Sequence, residues 1–167
     1  NLVKKVKSIM QNVPPWLRIA EIKIDNRTSF VLTNGSEVKA ASTSGDAGRS
    51  EALSLLVVDE AAIIEGLEDL WAGLYPTLST GGACIVLSTP KGVGNMFHRL
   101  YTEAEQELND FVPMKLPWDV HPHRDQAWFE KETRAMKKTE IAQELLCNFN
   151  MSGATLVEGE DLERVFE

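Results

Sequence analysis

Leu53-Ser54-Leu55-Leu56-Val57-Val58-Asp59-Glu60 is the stretch whose reading decides the fold. Its apolar run, with two valines, reads as a strand buried on both faces, as in a parallel sheet. The run stops at two adjacent carboxylates, which are poor strand formers and costly to bury. The pair therefore belongs where the strand leaves the sheet, and in open α/β sheets that carboxyl end is where ligands bind. A plainer reading makes Asp59 the cap of a following helix, with Glu60 in its first turn.

A second strand end follows in Cys84-Ile85-Val86-Leu87-Ser88-Thr89-Pro90, another short apolar run closed by two hydroxyls and an X-Pro step. The residues between, Ala61 to Ala83, are enough for a crossover helix and hence a right-handed βαβ unit. Direct pairing at roughly 4.8 Å would gather Asp59, Glu60, Ser88 and Thr89 at one edge. An acidic pair beside a hydroxyl pair has the composition of a magnesium–nucleotide site. One carboxylate can hold Mg²⁺ largely through its waters. The other can orient or deprotonate an attacking water, while the hydroxyls sense a γ-phosphate.

The chain has 167 residues, 43% apolar and 25% charged, enough for one soluble domain with a sizeable core. It contains no apolar run of membrane-spanning length, and Asn1 to Lys7 lacks the layout of a signal peptide. The net charge of −8 argues against a stand-alone DNA-binding domain but not against nucleic acid as partner of a larger assembly. Two cysteines, Cys84 in a strand and Cys147 on a helix, read as reduced core thiols.

Before the acidic strand, Leu2, Val3, Val6, Ile9, Met10 and Val13 mark one face of a helix ended by Pro14-Pro15, with Lys4, Lys5 and Lys7 on a solvated face. From Ile19 to Ser42 the pattern is β. Asn34-Gly35 between β-prone runs predicts a type I′ hairpin with positive φ at both residues, extending the main sheet in antiparallel fashion. The loop from Ser42 to Glu51 carries Arg49, readable as a solvated arginine or as one that stabilises charge on a phosphate.

After the acidic strand, Ala61 to Leu74 reads as a mostly helical crossover closed by Pro76 and Gly81-Gly82. Lys91-Gly92-Val93-Gly94-Asn95 is a turn into a helix whose core face holds Met96, Phe97, Leu100, Tyr101 and Ala104. Its order does not match a phosphate loop. Phe111 to Leu116 reads as an edge strand because of Pro113. The His121-Pro122-His123 segment is poorly pre-shaped for a metal. Asp125 reads as the cap of a helix through Met136, bearing a Glu130–Arg134 pair. Thr139 starts a further helix, and Ala154 to Glu167 reads as a linker.

In order, Asn34-Gly35-Ser36, Thr43-Ser44-Gly45-Asp46-Ala47-Gly48-Arg49, Leu55 to Glu60, Leu87-Ser88-Thr89-Pro90-Lys91-Gly92 and Ser152-Gly153-Ala154-Thr155-Leu156 resemble the ATPase domain of the large terminase subunit of tailed phages, the DNA-packaging motor. The resemblance implies an α/β, P-loop NTPase fold of RecA/ASCE type, with a mostly parallel sheet, flanking helices and an antiparallel hairpin extension. Residues 1–153 would be the C-terminal portion of the ATPase domain, and 154–167 the start of a linker toward a nuclease domain.

By that resemblance Asp59 holds Mg²⁺, Glu60 activates the hydrolytic water, and Ser88 and Thr89 form the coupling motif of the ATP site. Arg49 matches an arginine thought to reach a neighbouring subunit's nucleotide. ATP and Mg²⁺ are the implied cofactors. The implied partners are double-stranded DNA, the portal of the prohead and other terminase subunits in a ring, with no membrane, in the host cytoplasm. The chain departs from the family in holding no G-x-x-x-x-G-K-[ST] motif. The expected Walker A strand is thus lacking, and the expectation is a fragment that hydrolyses ATP negligibly alone. Two other readings stay open: a superfamily 2 helicase core, and a non-enzymatic α/β interaction module.

Overall fold

A computed structural model describes residues 2–42 and 52–152. The chain divides into two compact units, Asn1–Ser50 and Glu51–Glu167. No described helix is long and apolar enough to cross a membrane.

In the first unit, α1 (Leu2–Asn12) presents the expected apolar stripe, with Val3 buried and Val6 and Met10 half-buried. Strands β1 (Ile22–Asp25), β2 (Ser29–Leu32) and β3 (Glu37–Lys39) form an antiparallel meander in that order. Phe30, opposite Val38, is completely buried. This hairpin builds a three-stranded sheet of its own and does not extend the parallel pair.

Its turn also departs from the type I′ expectation, since Gly35 has φ +86° but Asn34 stays on the ordinary side. Gly35 N–H donates to Leu32 O at 3.0 Å, and Leu32 N–H to Ser36 O at 2.8 Å. That is a three-residue loop with a glycine bulge. The Asn34 side chain is used instead to accept from Ser36 N at 3.0 Å. Lys7 is not a solvated lysine: its ammonium pairs with Asp25, donates to Asn26 O at 2.6 Å and sits 5.8 Å from the Phe30 ring centroid.

In the second unit, β4 (Leu55–Val58) and β5 (Ala83–Val86) pair in parallel, Leu55 with Ala83 through Val58 with Val86. Between them run a turn from Glu60 to Gly66, helix α2 (Leu67–Leu74) and a 3₁₀ turn over Tyr75–Leu78. The crossover becomes helical only after Gly66, whose φ is +67°. Helix α3 (Met96–Glu105) begins where Asn95 Oδ1 accepts from His98 N at 2.9 Å. Val58, Ala61, Leu67, Leu70, Leu74, Met96 and Phe97 make the core, with Leu56 and Val86 packed against it.

The expectation of a strand buried on both faces fails here. Successive side chains leave a strand on opposite faces, and only one face meets α2 and α3. Leu55, Val57 and Ile85, each just over 50% exposed, point the other way.

Helix α4 (Gln126–Thr133) is capped by Asp125, whose Oδ1 accepts from Trp128 N at 2.7 Å. It stops short of Met136, and Glu130 pairs with Gln126 (3.1 Å) in place of the expected Arg134. Helix α5 (Lys138–Glu144) starts with Glu140 reaching back to Lys137 N at 2.9 Å. Phe111 to Leu116 is no strand, because no described neighbour offers it a ladder. It is anchored at its two ends, the Phe111 ring lying 6.0 Å from that of Trp71 and Leu116 O accepting from Cys147 Sγ at 3.5 Å.

Gly82 sets how closely the start of β5 approaches the chain entering β4. A Cβ there would lie 2.1 Å from Leu53 O and 2.9 Å from Leu78 Cδ2. Gly82→Ala should therefore cost on the order of 2–3 kcal/mol in urea unfolding. Gly81→Ala, in open space at φ +98°, should cost about 1 kcal/mol.

Candidate functional site

Parallel pairing carries the two strand ends to one edge. Past the last ladder pair, Leu87 N–H donates to Val58 O at 3.0 Å and Ala61 N–H to Leu87 O at 3.1 Å. Ala62 N–H then donates to Ser88 Oγ at 3.1 Å. The turn carrying Glu60 thus folds back over the end of β5, placing it beside Ser88. Asp59 and Glu60 are exposed, and Ser88 and Thr89 half-buried.

Glu60 has φ +55°, a left-handed conformation uncommon for a residue with a Cβ. Residues held there cluster at functional sites. The plainer cap reading of Asp59 does not hold, since the next helix begins at Leu67 with Gly66 before it. Asp59 Oδ1 instead accepts from the adjacent Glu60 N at 3.0 Å.

The structure brings to this edge residues that the sequence did not place there. Gln143 Nε2 donates to Thr89 Oγ1 at 3.5 Å, and Thr89 Oγ1 donates to Glu144 Oε1 at 3.5 Å. Gln143 and Glu144 are themselves joined at 2.9 Å. Deeper, Gly92 N–H donates to Ser152 Oγ at 3.0 Å, and that hydroxyl donates to Phe149 O at 3.0 Å. Ser152 is buried. A polar Gln-Glu pair on a helix reads as a solvated face, so no local signal marks these residues.

Arg49 lies outside the described residues, as does the proposed linker at 154–167. In the histidine segment, His121 Nδ1 accepts from His123 N at 3.2 Å. A cavity of about 340 Å³ lies at the other end of β5, lined by Tyr75, Leu78, Cys84, Asp110 and Phe111 among others. It contains none of Asp59, Glu60, Ser88 or Thr89, whose edge is open surface.

Among the described residues no three His, Cys, Asp or Glu side chains converge on a metal-sized point. The donors at the edge are one carboxylate with an oxygen to spare, a second exposed carboxylate and two hydroxyls. That set does not make an all-protein cage. It fits Mg²⁺, which keeps several waters and takes one or two carboxylates plus phosphate oxygens.

No family model matches the sequence. Among solved structures, the chain is similar to the large terminase ATPase domain of Thermus phage P74-26, with a TM-score of 0.58. It is also similar to an arginine-to-alanine mutant of that domain, at 0.57. In both cases the identity is 22%, over 89% of this chain and 69% of that one. The chain has the fold of that ATPase domain, a mixed α/β arrangement.

Replacing Ser88 by Ala strips Ala62 N–H of its acceptor. Urea unfolding should show a loss of about 1 kcal/mol, with the far-ultraviolet spectrum unchanged. Burial pushes the Cys84 thiol up to about 11 from 9.0. Because the thiolate is the nucleophile, iodoacetamide should alkylate Cys84 with a midpoint near pH 11, returning toward 9.0 in urea.

Proposed function

We propose that the chain is part of the ATP-hydrolysing motor of a phage large terminase, which couples ATP hydrolysis to movement of double-stranded DNA into a prohead. The observation that carries this reading is the bond from Ala62 N–H in the acidic turn to the Ser88 hydroxyl at one carboxyl edge, in a chain with the fold of a terminase ATPase domain. On this reading the fold is of the P-loop NTPase class, and the assembly includes the portal and further copies in a ring, working in the host cytoplasm. A helicase core would use the same edge, but the likeness to a packaging ATPase over 89% of the chain favours the motor.

The roles follow from the chemistry of each side chain. Asp59, with Oδ1 turned to Glu60 N and no other partner among the described residues, would hold Mg²⁺ through its waters. Glu60, exposed and projected by its left-handed backbone, would accept a proton from the attacking water. Ser88 keeps its O–H available while its oxygen accepts from Ala62, so it can donate to a phosphate oxygen. Thr89 is the second hydroxyl of the coupling pair. Arg49 would stabilise charge on the nucleotide of this subunit or of a neighbour. When bound, Mg²⁺ supplies neutralisation of the charge that develops on the phosphate oxygens.

The phosphate-cradling motif is not among the 167 residues, and its backbone N–H groups and lysine supply most triphosphate contacts. The chain alone should therefore bind Mg–ATP weakly and turn it over negligibly.

In the full-length polypeptide, Glu60→Gln should lower DNA-stimulated ATP turnover about 10²–10⁴-fold while folding and Mg–ATP binding persist. Turnover equal to that of the unaltered protein would leave only a non-enzymatic interaction module.

A further inference from the structure

The loop after β5 is held twice by one later stretch of chain. On its solvent side, Thr89 both accepts from Gln143 and donates to Glu144, at 3.5 Å each. On its buried side, Gly92 N–H donates to Ser152 Oγ at 3.0 Å. The stretch between these grips is itself fixed. Asn148 N–H donates to Ala142 O at 2.9 Å, and the Phe149 ring lies 4.9–5.9 Å from those of His98, Tyr101 and Phe97 on α3. A displacement of the Ser88–Gly92 loop therefore has to move α5 and the Phe149–Ser152 segment, or break one grip.

The two grips differ in kind. The Ser152 bond is buried and of normal length, so it resists breaking. The Thr89 bonds are long and partly solvated, and bonds of that sort add little stability. They do determine where the hydroxyl points. For the Thr89 O–H to donate to a phosphate oxygen it must leave Glu144, while Gln143 can go on donating to the same oxygen. The free state thus stores the hydroxyl on a carboxylate that a phosphate would displace.

We propose that Gln143 and Glu144 are positioning residues for Thr89, and that with Ser152 they transmit the phosphate-dependent state of the Ser88–Gly92 loop to α5 and the segment after it. This rests on the nucleotide reading of the edge.

Hydrogen exchange of the full-length polypeptide, the same protein in which Glu60→Gln is to be assayed, with and without millimolar Mg–ATP, tests it. In the unaltered chain Mg–ATP should slow exchange both in residues 87–93 and in residues 143–152. In the Gln143→Ala, Glu144→Ala, Ser152→Ala triple variant, which removes both grips, the response of 87–93 should remain, and that of 143–152 should fall about fivefold or more. Glu144→Gln, which keeps an acceptor for the Thr89 hydroxyl, should retain the linked response and covers the case in which the triple variant does not fold. An undiminished response of 143–152 in the triple variant overturns the relay and leaves the nucleotide reading standing. Its loss in a well-folded Glu144→Gln chain also overturns the hydrogen-bonded relay. No response of 87–93 in the unaltered full-length polypeptide removes the nucleotide reading, and the relay with it.

Discussion

The short parallel ladder between β4 and β5 is the constraint from which the rest of the second unit follows. Val58 paired with Val86 sets the height at which both chains leave the sheet. Three further bonds, from Leu87 to Val58, Ala61 to Leu87 and Ala62 to the Ser88 hydroxyl, continue the pairing beyond the strands. A slip of one residue would turn Leu56 and Val58 out of the core and carry Glu60 away from Ser88. Packing and site geometry are thus the same constraint seen from the two ends of the strand.

Backbone strain and backbone satisfaction meet at Glu60. Its left-handed conformation is unfavourable for a residue with a side chain, yet the turn it opens lets Ala61 and Ala62 donate to the end of β5. The following Gly66 takes a second positive φ and releases the chain into α2. The acidic pair is therefore displayed on an open edge, away from the apolar cavity at the amino end of β5. A charged phosphate ligand needs donors, waters and a cation more than it needs an apolar pocket, so an open polar edge suits it.

The hydroxyl pair is not symmetric. Ser88 is committed to the backbone of the acidic turn, whereas Thr89 faces the last turn of α5. One hydroxyl is thus tied to the backbone of the acidic turn and the other to the Gln143–Glu144 pair at the end of α5. Adjacent side chains on an extended segment point to opposite sides, which is why two consecutive residues can serve two partners.

Much of this was legible in the residues. The apolar runs at Leu55–Val58 and Cys84–Val86, the Lys91–Asn95 turn into a helix, the Asp125 cap and the proline stop after α1 are local signals, set by side-chain sterics and by short-range hydrogen bonds within a few residues. The direct pairing of the two runs was inferable from the length of the crossover, and with it the meeting of the acidic turn and Ser88. Tertiary structure alone decided which face of the parallel pair is covered, that the hairpin keeps to its own sheet, that Phe111–Leu116 finds no ladder, and that Gln143, Glu144 and Ser152 grip the loop after β5. Those outcomes depend on tertiary partners, 54, 55 and 60 residues away for the three bonds that grip the loop, and nothing in a local pattern records which distant backbone or hydroxyl will arrive to satisfy it.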